Sequence, residues 1–362
     1  VADITMNVIS QFTTPTITVE EIQDLVEKSL MKVRPEVAKK YIIYREWRNT
    51  ERDKKTQMKQ VMDGIVAIDK NDVNLSNANM SSHTPAGQMM TFASEITKDY
   101  TYKYLLPKQY AEAHQLGDIH IHDLDYYPTK TTTCIQYDLD DLFERGFHTK
   151  NGSIRTPQSI QSYATLATII FQTNQNEQHG GQAIPAFDFF MAKGVLKSFQ
   201  KAVASSVAFY LDMKNVQLDE AVVLKLAQQY FTSILPAEDE KSSFLSAGAG
   251  QGIALTADEL EHILHKAYSQ VRKDTHQAME GFIHNLNTMH SRAGAQVPFS
   301  SINFGTDTSP EGRMVSKNLL LSLEKGLGNG ETAIFPILIF KVKEGVNLNP
   351  EDPNYDLFKL SC

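Results

Sequence analysis

The sequence predicts an α/β protein, arranged as an α/β barrel or as one large α/β sheet. Three observations carry that expectation. From about residue 60 onward, stretches with apolar residues at helical spacing alternate with short apolar runs. Two of those runs, QVPFSSINFG (296–305) and AIFPILIFKV (333–342), read as strands. No internal repeat or low-complexity segment interrupts the alternation.

The elements follow in order. In TITVEEIQDLVEKSLMK, Thr18 and Glu21 have capping-box spacing, and Ile22, Leu25, Val26 and Leu30 recur on one helix face. Pro35 opens a second helix, PEVAKKYIIYREWRNTERDKK, whose charged end from Arg45 to Lys59 reads as a solvated face leading to a domain boundary near residue 58. NLSNANMSSHTPAGQ (74–88) reads as a long polar loop. GDIHIHDLDYY (117–127) reads as a strand followed by a loop. TPQSIQSYATLATIIFQTNQNEQ (156–178) reads as one helix, with Thr156 as N-cap and Pro157 as its first residue. That helix has no charged side chain from Gln158 to Asn176, so it is expected to be buried or to lie in a subunit interface. ADELEHILHKAYSQVRKDTHQAMEGFIHNLNTMHS (257–291) reads as a long helix.

At 362 residues the chain exceeds the usual single-domain size, so one large domain with a smaller one is expected. Hydrophobic residues at 41% and charged residues at 22% allow a sizeable core. A net charge of -8 argues against a nucleic-acid surface, which needs basic residues to neutralise phosphates. Two distant cysteines make neither a disulfide framework nor a cysteine-only zinc site, which suits a reducing, cytoplasmic compartment. No apolar run of membrane-spanning length and no signal peptide is evident. The start at VADITMNVIS and the stop at LFKLSC suggest a fragment of a longer protein.

The chemistry concentrates in one span. Period-two geometry would put His120 and His122 on one strand face, with Asp123, Asp125 and Cys134 close behind. An H-x-H pair can hold a metal when further ligands arrive from later strands, but His284 and His290 fall in a helical pattern. A metal site, an active site without metal and a pair of structural histidines all fit these residues. Cys134 is an inert small hydrophobe unless an acid–base partner or a radical reaches it, and Cys362 has the same bland reading. In NEQHGGQAIPAFD (176–188), Gly180 and Gly181 either end a helix or let backbone approach a phosphate. Gln296, Ser300, Ser301 and Asn303 can orient a polyhydroxyl ligand or simply form a turn.

Several of these stretches occur together in one family. VADITMNVISQF with RPEVAKKYIIYREWR, NANMSSHTPAGQ, GDIHIHDLDYY followed by Cys134, the 155–189 segment through NEQHGGQ, QVPFSSINFG and FKLSC resemble the anaerobic (class III) ribonucleoside-triphosphate reductases, the glycyl-radical enzymes that make deoxyribonucleotides. The resemblance covers nearly the whole chain. It implies a partial helical ATP-cone over 1–57 and the N-terminal part of a ten-stranded α/β barrel over 58–362, truncated at both ends.

By the same resemblance, Cys134 is the second active-site cysteine, and His120 and His122 bind formate or move protons beside it without holding a metal. Ser300, Ser301 and Asn303 are expected to contact the ribonucleoside triphosphate substrate. Arg155, Gln158, Gln161 and Gln172 are expected to contact a deoxynucleotide effector, on a helix that pairs across a homodimer. The glycyl radical, installed by an S-adenosylmethionine/iron–sulfur activase, the thiyl finger loop and the family's zinc site fall outside this chain, which is expected to be inactive alone. Formate as reductant and ATP, dATP and deoxynucleotide effectors with Mg complete the expected chemistry. The rival readings are a metal-dependent hydrolase built on the H-x-H segment and a purely regulatory nucleotide-binding module.

Overall fold

The computed structural model describes residues 18–54, 57–66, 84–149, 152–292 and 296–362, with the isolated positions 6 and 10. Helix α1 (Val19–Val33) starts at the expected capping box: the Thr18 hydroxyl accepts the Glu21 N–H at 3.2 Å, and the Glu21 carboxylate accepts the Thr18 N–H at 2.9 Å. Helix α2 (Pro35–Lys54) packs back on α1, and Arg45 joins Asp24 and Glu27 at 2.6 and 2.9 Å. Helix α3 (Gln57–Val66) packs on α4 (Pro85–Tyr100).

The expected loop 74–88 lies outside the described residues up to 83, and its end is helix rather than loop. Thr84 accepts the Gly87 N–H at 3.0 Å and Pro85 opens α4, a start signal stronger than the polarity around it. A π-turn (Thr101–Leu105) then leads to α5 (Lys108–Leu116), which Gly117 terminates at φ +85°.

Four parallel strands form the sheet, in the order β1 (Ile135–Gln136), β4 (Gln182–Ile184), β5 (Ser300–Phe304) and β6 (Ile337–Phe340). The first crossover carries α6 (Leu139–Arg145), the antiparallel hairpin β2 (Phe147–Thr149) and β3 (Gly152–Ile154), and α7 (Ile160–Asn174). The second carries α8 (Phe187–Met213), α9 (Glu220–Tyr230), α10 (Glu238–Ala249) and α11 (Ala257–Thr288). Helix α12 (Pro310–Lys325) makes the third, and α13 (Tyr355–Ser361) follows β6. Parallel neighbours require such crossovers, so the expected α/β architecture and the strands expected within 296–305 and 333–342 are present.

Helix α7 begins three residues later than the sequence suggested. Ser159, not Thr156, is its N-cap, because the Ser159–Ser162 pair exchanges hydrogen bonds and the Ile160 N–H donates to Ser198 of α8 at 2.8 Å. Its lack of charge is explained by burial: Ile160, Tyr163, Ala164, Ala167, Ile170 and Phe171 face α8 and α11. Gly194 permits that approach, since a Cβ there would lie 2.8 Å from the Tyr163 ring. The core then continues through Phe171, Phe187 and Phe282 to Ile184, Ile302 and Phe304, which line the helix-covered sheet face.

Candidate active site

The opposite sheet face is open. Register and pleat place Ala183, Ser301, Asn303, Ile337 and Ile339 together on it. Ile337 and Ile339 are 43% and 42% exposed, whereas Ile302, which pairs with the intervening Leu338, is fully buried. Ser301 and Asn303 are half-buried on this face. Ser300, expected beside them, points the other way with no exposed surface and no hydrogen-bond partner for Oγ among the described residues. Alternation along a strand forbids adjacent residues from sharing a face, so Ser300 leaves the set.

Cys134 stands exposed just before β1, about 10 Å (two strand spacings) from β5. Its segment is pinned to residues 179–181: the His179 N–H donates to Thr132 O and the Ile135 N–H donates to Gly181 O, both at 3.1 Å. Gly180, at φ +94°, comes so close that a Cβ would lie 1.7 Å from Thr133 O and 3.4 Å from Cys134 Sγ. Only glycine fits there.

The histidine segment is not a strand. After α5 the chain turns, the Ile121 N–H donates to His114 Nδ1 at 3.0 Å, and Asp123 takes φ +53°. With no strand paired to it among the described residues, the segment coils, and the His120 and His122 rings meet edge-on at 6.0 Å instead of lying side by side. His120 lies 5.2 Å from the His114 ring.

The coil brings in residues that the sequence reading did not assign. The Asp123 carboxylate sits 2.5 Å from His122 Nδ1 through Oδ2 and 3.2 Å from His179 Nε2 through Oδ1. Neither approach is aligned along a ring N–H, so Oδ2 has no well-formed hydrogen bond despite its short contact. The His179 ring stacks on Tyr126 at 3.8 Å. A cavity of about 780 Å³ opens here, lined by Ser94, Lys98, His114, His120, His179 and Gln296 among others. A neighbouring cavity of about 600 Å³ is lined by His122 and Lys130, and Asp123 and Tyr126 belong to the walls of both. Arg292 ties the floor together, donating to Gln178 O at 2.7 Å and to Gln296 Oε1 at 3.2 Å. The NEQHGGQ segment was the only sequence signal for His179; its contact with Asp123 spans a separation along the chain that no local pattern encodes.

Among the described residues no group of three or more His, Cys, Asp or Glu is placed to hold a metal ion. None of the described helices is long and apolar enough to cross a membrane.

A second site lies at the start of α7. A cavity of about 370 Å³ is lined by Gln161, Ser198, Lys201, Lys266, Gln270 and the carboxylate Asp274, among others. Lys197 donates to Pro157 O at 3.0 Å; burial, together with Lys193 and Lys201, lowers its ammonium below the ordinary lysine range. Of the expected effector contacts, Gln161 lines this cavity, whereas Arg155 and Gln158 are exposed before the helix. Gln172 lies about 16 Å further along α7, with Nε2 buried and unpartnered among the described residues, so it is not brought to the same place. Lys201 and Lys266 were not legible as site residues, because they come from α8 and α11 and converge only after packing.

The family model described as anaerobic ribonucleoside-triphosphate reductase matches residues 76–362. The chain belongs to that family. A second family model, the ATP cone domain, matches residues 1–50, which include α1 and most of α2. The anaerobic ribonucleoside-triphosphate reductase of Escherichia coli is 30% identical to this reductase-family chain over 346 residues, and that of Haemophilus influenzae is 29% identical over 348. Each match covers 95% of this chain and 42% of the relative, so the chain spans about two fifths of the length of these curated reductases. The enzyme of the same name from enterobacteria phage T4 is 29% identical over 302 residues, covering 83% of this chain and 42% of its own. Among solved structures, the anaerobic ribonucleotide reductase from Thermotoga maritima with dATP bound in the specificity site overlaps at TM-score 0.45 and 13% identity, over 87% of this chain and 48% of that one.

Proposed function

We propose that this chain is part of an enzyme that reduces ribonucleoside triphosphates to deoxyribonucleoside triphosphates without oxygen, and that the open sheet face is the floor of its substrate site. The observation that carries the reading is that exposed Cys134 opens β1 of the parallel sheet whose β5 bears half-buried Ser301 and Asn303, while the His120–His122 turn is joined to the Cys134 segment through Asp123 and His179. Parallel sheets are ordinarily covered on both faces, and a floor bearing exposed Ile337, Ile339 and Phe299 favours closure by further strands of a ten-stranded barrel. Such closure would dry the site.

In this reading the domains divide at 57/58, with a partial ATP-cone before and the barrel after. Ser301 and Asn303 orient the ribose by hydrogen bonds from the floor. Cys134 supplies a thiol hydrogen at the mouth, and its exposure and its contact with Gly180 suit that role. His120 and His122 receive or deliver protons and hold the carboxylate of formate. The family's glycyl radical, made by an S-adenosylmethionine-dependent activase, supplies hydrogen-atom abstraction from outside this chain. Lys201, Lys266, Gln161 and the α7 N-terminus form a cationic seat for the phosphates of a deoxynucleotide effector, with Mg as its counter-ion. The exposed strip of α7 would pair two copies.

The test is turnover by the full-length enzyme with activase and formate under anaerobic conditions. Cys134→Ser should abolish deoxynucleotide formation while fold and effector binding persist, because oxygen replaces sulfur at nearly the same size but does not give up a hydrogen atom comparably. Wild-type turnover by Cys134→Ser would remove the residue from the mechanism.

A further inference from the structure

The geometry points to Asp123 as a positioning residue that fixes the ring of His179, so that His179 Nδ1 accepts a hydrogen bond or a proton from a hydroxyl of the bound ligand. This rests on the reading of the site as a ribonucleotide floor.

Four observations converge. Asp123 is a carboxylate placed between two imidazoles, 2.5 Å from His122 Nδ1 and 3.2 Å from His179 Nε2, with its side chain only 13% exposed. It holds this place from a left-handed backbone, φ +53°, a conformation rare outside glycine and tolerated best by Asp and Asn. A strained residue aimed at a functional cluster is the kind of outlier that marks a pre-organised site. The His179 ring is further clamped by stacking on Tyr126 at 3.8 Å, and its backbone by the bond to Thr132 beside Cys134.

The remaining nitrogen decides the chemistry. With Nε2 turned toward the carboxylate, that nitrogen carries the proton and Nδ1 is left with a lone pair. His179 Nδ1 is buried with no hydrogen-bond partner among the described residues, and His179 lines the cavity of about 780 Å³. A buried acceptor without a partner, on a residue that lines this cavity, calls for a donor-bearing ligand, and a hydroxyl is the simplest. The bent imidazole–carboxylate contacts suit an unliganded site, where such bonds are often loose and align when the ligand arrives. His122, which lines the neighbouring cavity, is 75% exposed at its side chain and meets the same carboxylate through its other nitrogen, Nδ1, which favours a proton there. One carboxylate therefore sets both tautomers.

Two variants test this in the full-length enzyme. Asp123→Gly removes the carboxylate at a φ that glycine accepts, and Asp123→Asn keeps size and backbone tolerance but can accept from only one ring at a time. Both should lower kcat by about a hundredfold, with the substrate KM within about threefold of wild type, since a positioned acid–base group acts on the step more than on binding. In ¹⁵N-histidine-labelled protein, the His179 ring, assigned by its loss in His179→Gln, should carry its proton on Nε2 in the wild type. In Asp123→Gly it should become a tautomer mixture. A purely structural Asp123 would instead lower Tm and leave kcat per folded enzyme unchanged, which overturns the proposal. A wild-type His179 protonated on Nδ1, or an unaltered single tautomer in Asp123→Gly, also overturns it. Failure of the wild-type enzyme to make deoxynucleotides would refute the ribonucleotide reading instead, and the tautomer measurement stands apart from turnover.

Discussion

Replacing Gly180 by alanine tests whether the Cys134 segment is held where catalysis needs it. The ideal Cβ would lie 1.7 Å from Thr133 O and 2.9 Å from Thr133 C, both backbone atoms with no rotamer to yield. A carbon–oxygen contact settles at about 3.3 Å, so the two segments must part by about 1.6 Å. The φ of +94° adds backbone strain of about 1–3 kcal/mol. Because the clash is against the residue preceding Cys134, the sulfur moves with it. A misplacement of about 1 Å at a reacting group can cost about a hundredfold in rate. Gly180→Ala in the full-length enzyme should therefore lose about two orders of magnitude in kcat, with only a few degrees lost in thermal unfolding. Turnover within threefold of wild type, with the variant folded, would refute the claim that the Gly180 contact positions Cys134.

Three further outcomes are expected. Asp188 is fully buried, and its Oδ2 accepts the N–H groups of Gly305, Thr306 and Asp307 at 2.8, 3.0 and 2.9 Å, so Asp188→Ala strands two buried donors and a half-buried one and should destabilise by about 3–5 kcal/mol in denaturant melts. Burial, reinforced by Asp188 and Glu311, raises the Asp307 carboxyl above its ordinary value, so the folded state binds its proton more tightly than the unfolded chain does. The stability this group contributes is full below the ordinary carboxylate range, about pH 4, and is lost as pH rises through the raised value; Asp307→Asn should flatten that part of the stability–pH curve while keeping the cap on Ser309. Ala167→Glu, at a position with no exposed surface, should put an unpaired carboxylate into the α7–α8–α11 core and cost several kcal/mol; a folded variant with altered association would instead mean that α7 faces another subunit.

Much of the fold was legible because it is written in local chemistry. Thr18 with Glu21, Pro35, and the long periodic run 257–291 state their helices within a few residues of sequence, and the β-branched and aromatic residues of 300–304 and 337–340 state their strands. The motif order from GDIHIHD to QVPFSSINFG likewise sufficed to name the family that the comparisons show. Boundaries failed where two local signals competed. Thr156–Pro157 and Ser159–Ser162 are both plausible helix starts, and the Ser198 hydroxyl of α8 decided between them.

Sequence alone singled out Cys134, His120 and His122 as candidates, by residue type and spacing. It could not determine how they face one another. H-x-H alternates only if a neighbouring strand holds it extended, and the described residues supply no such neighbour, so the segment coils around Asp123. Ser300 and Ser301 are equal in sequence, and only the helices packed on one side of the sheet separate them. His179 meets Asp123, and Lys201 meets Lys266, across separations that periodicity cannot span. Local propensity acts over a few residues, whereas a site is assembled by side chains whose proximity exists only after the core has packed.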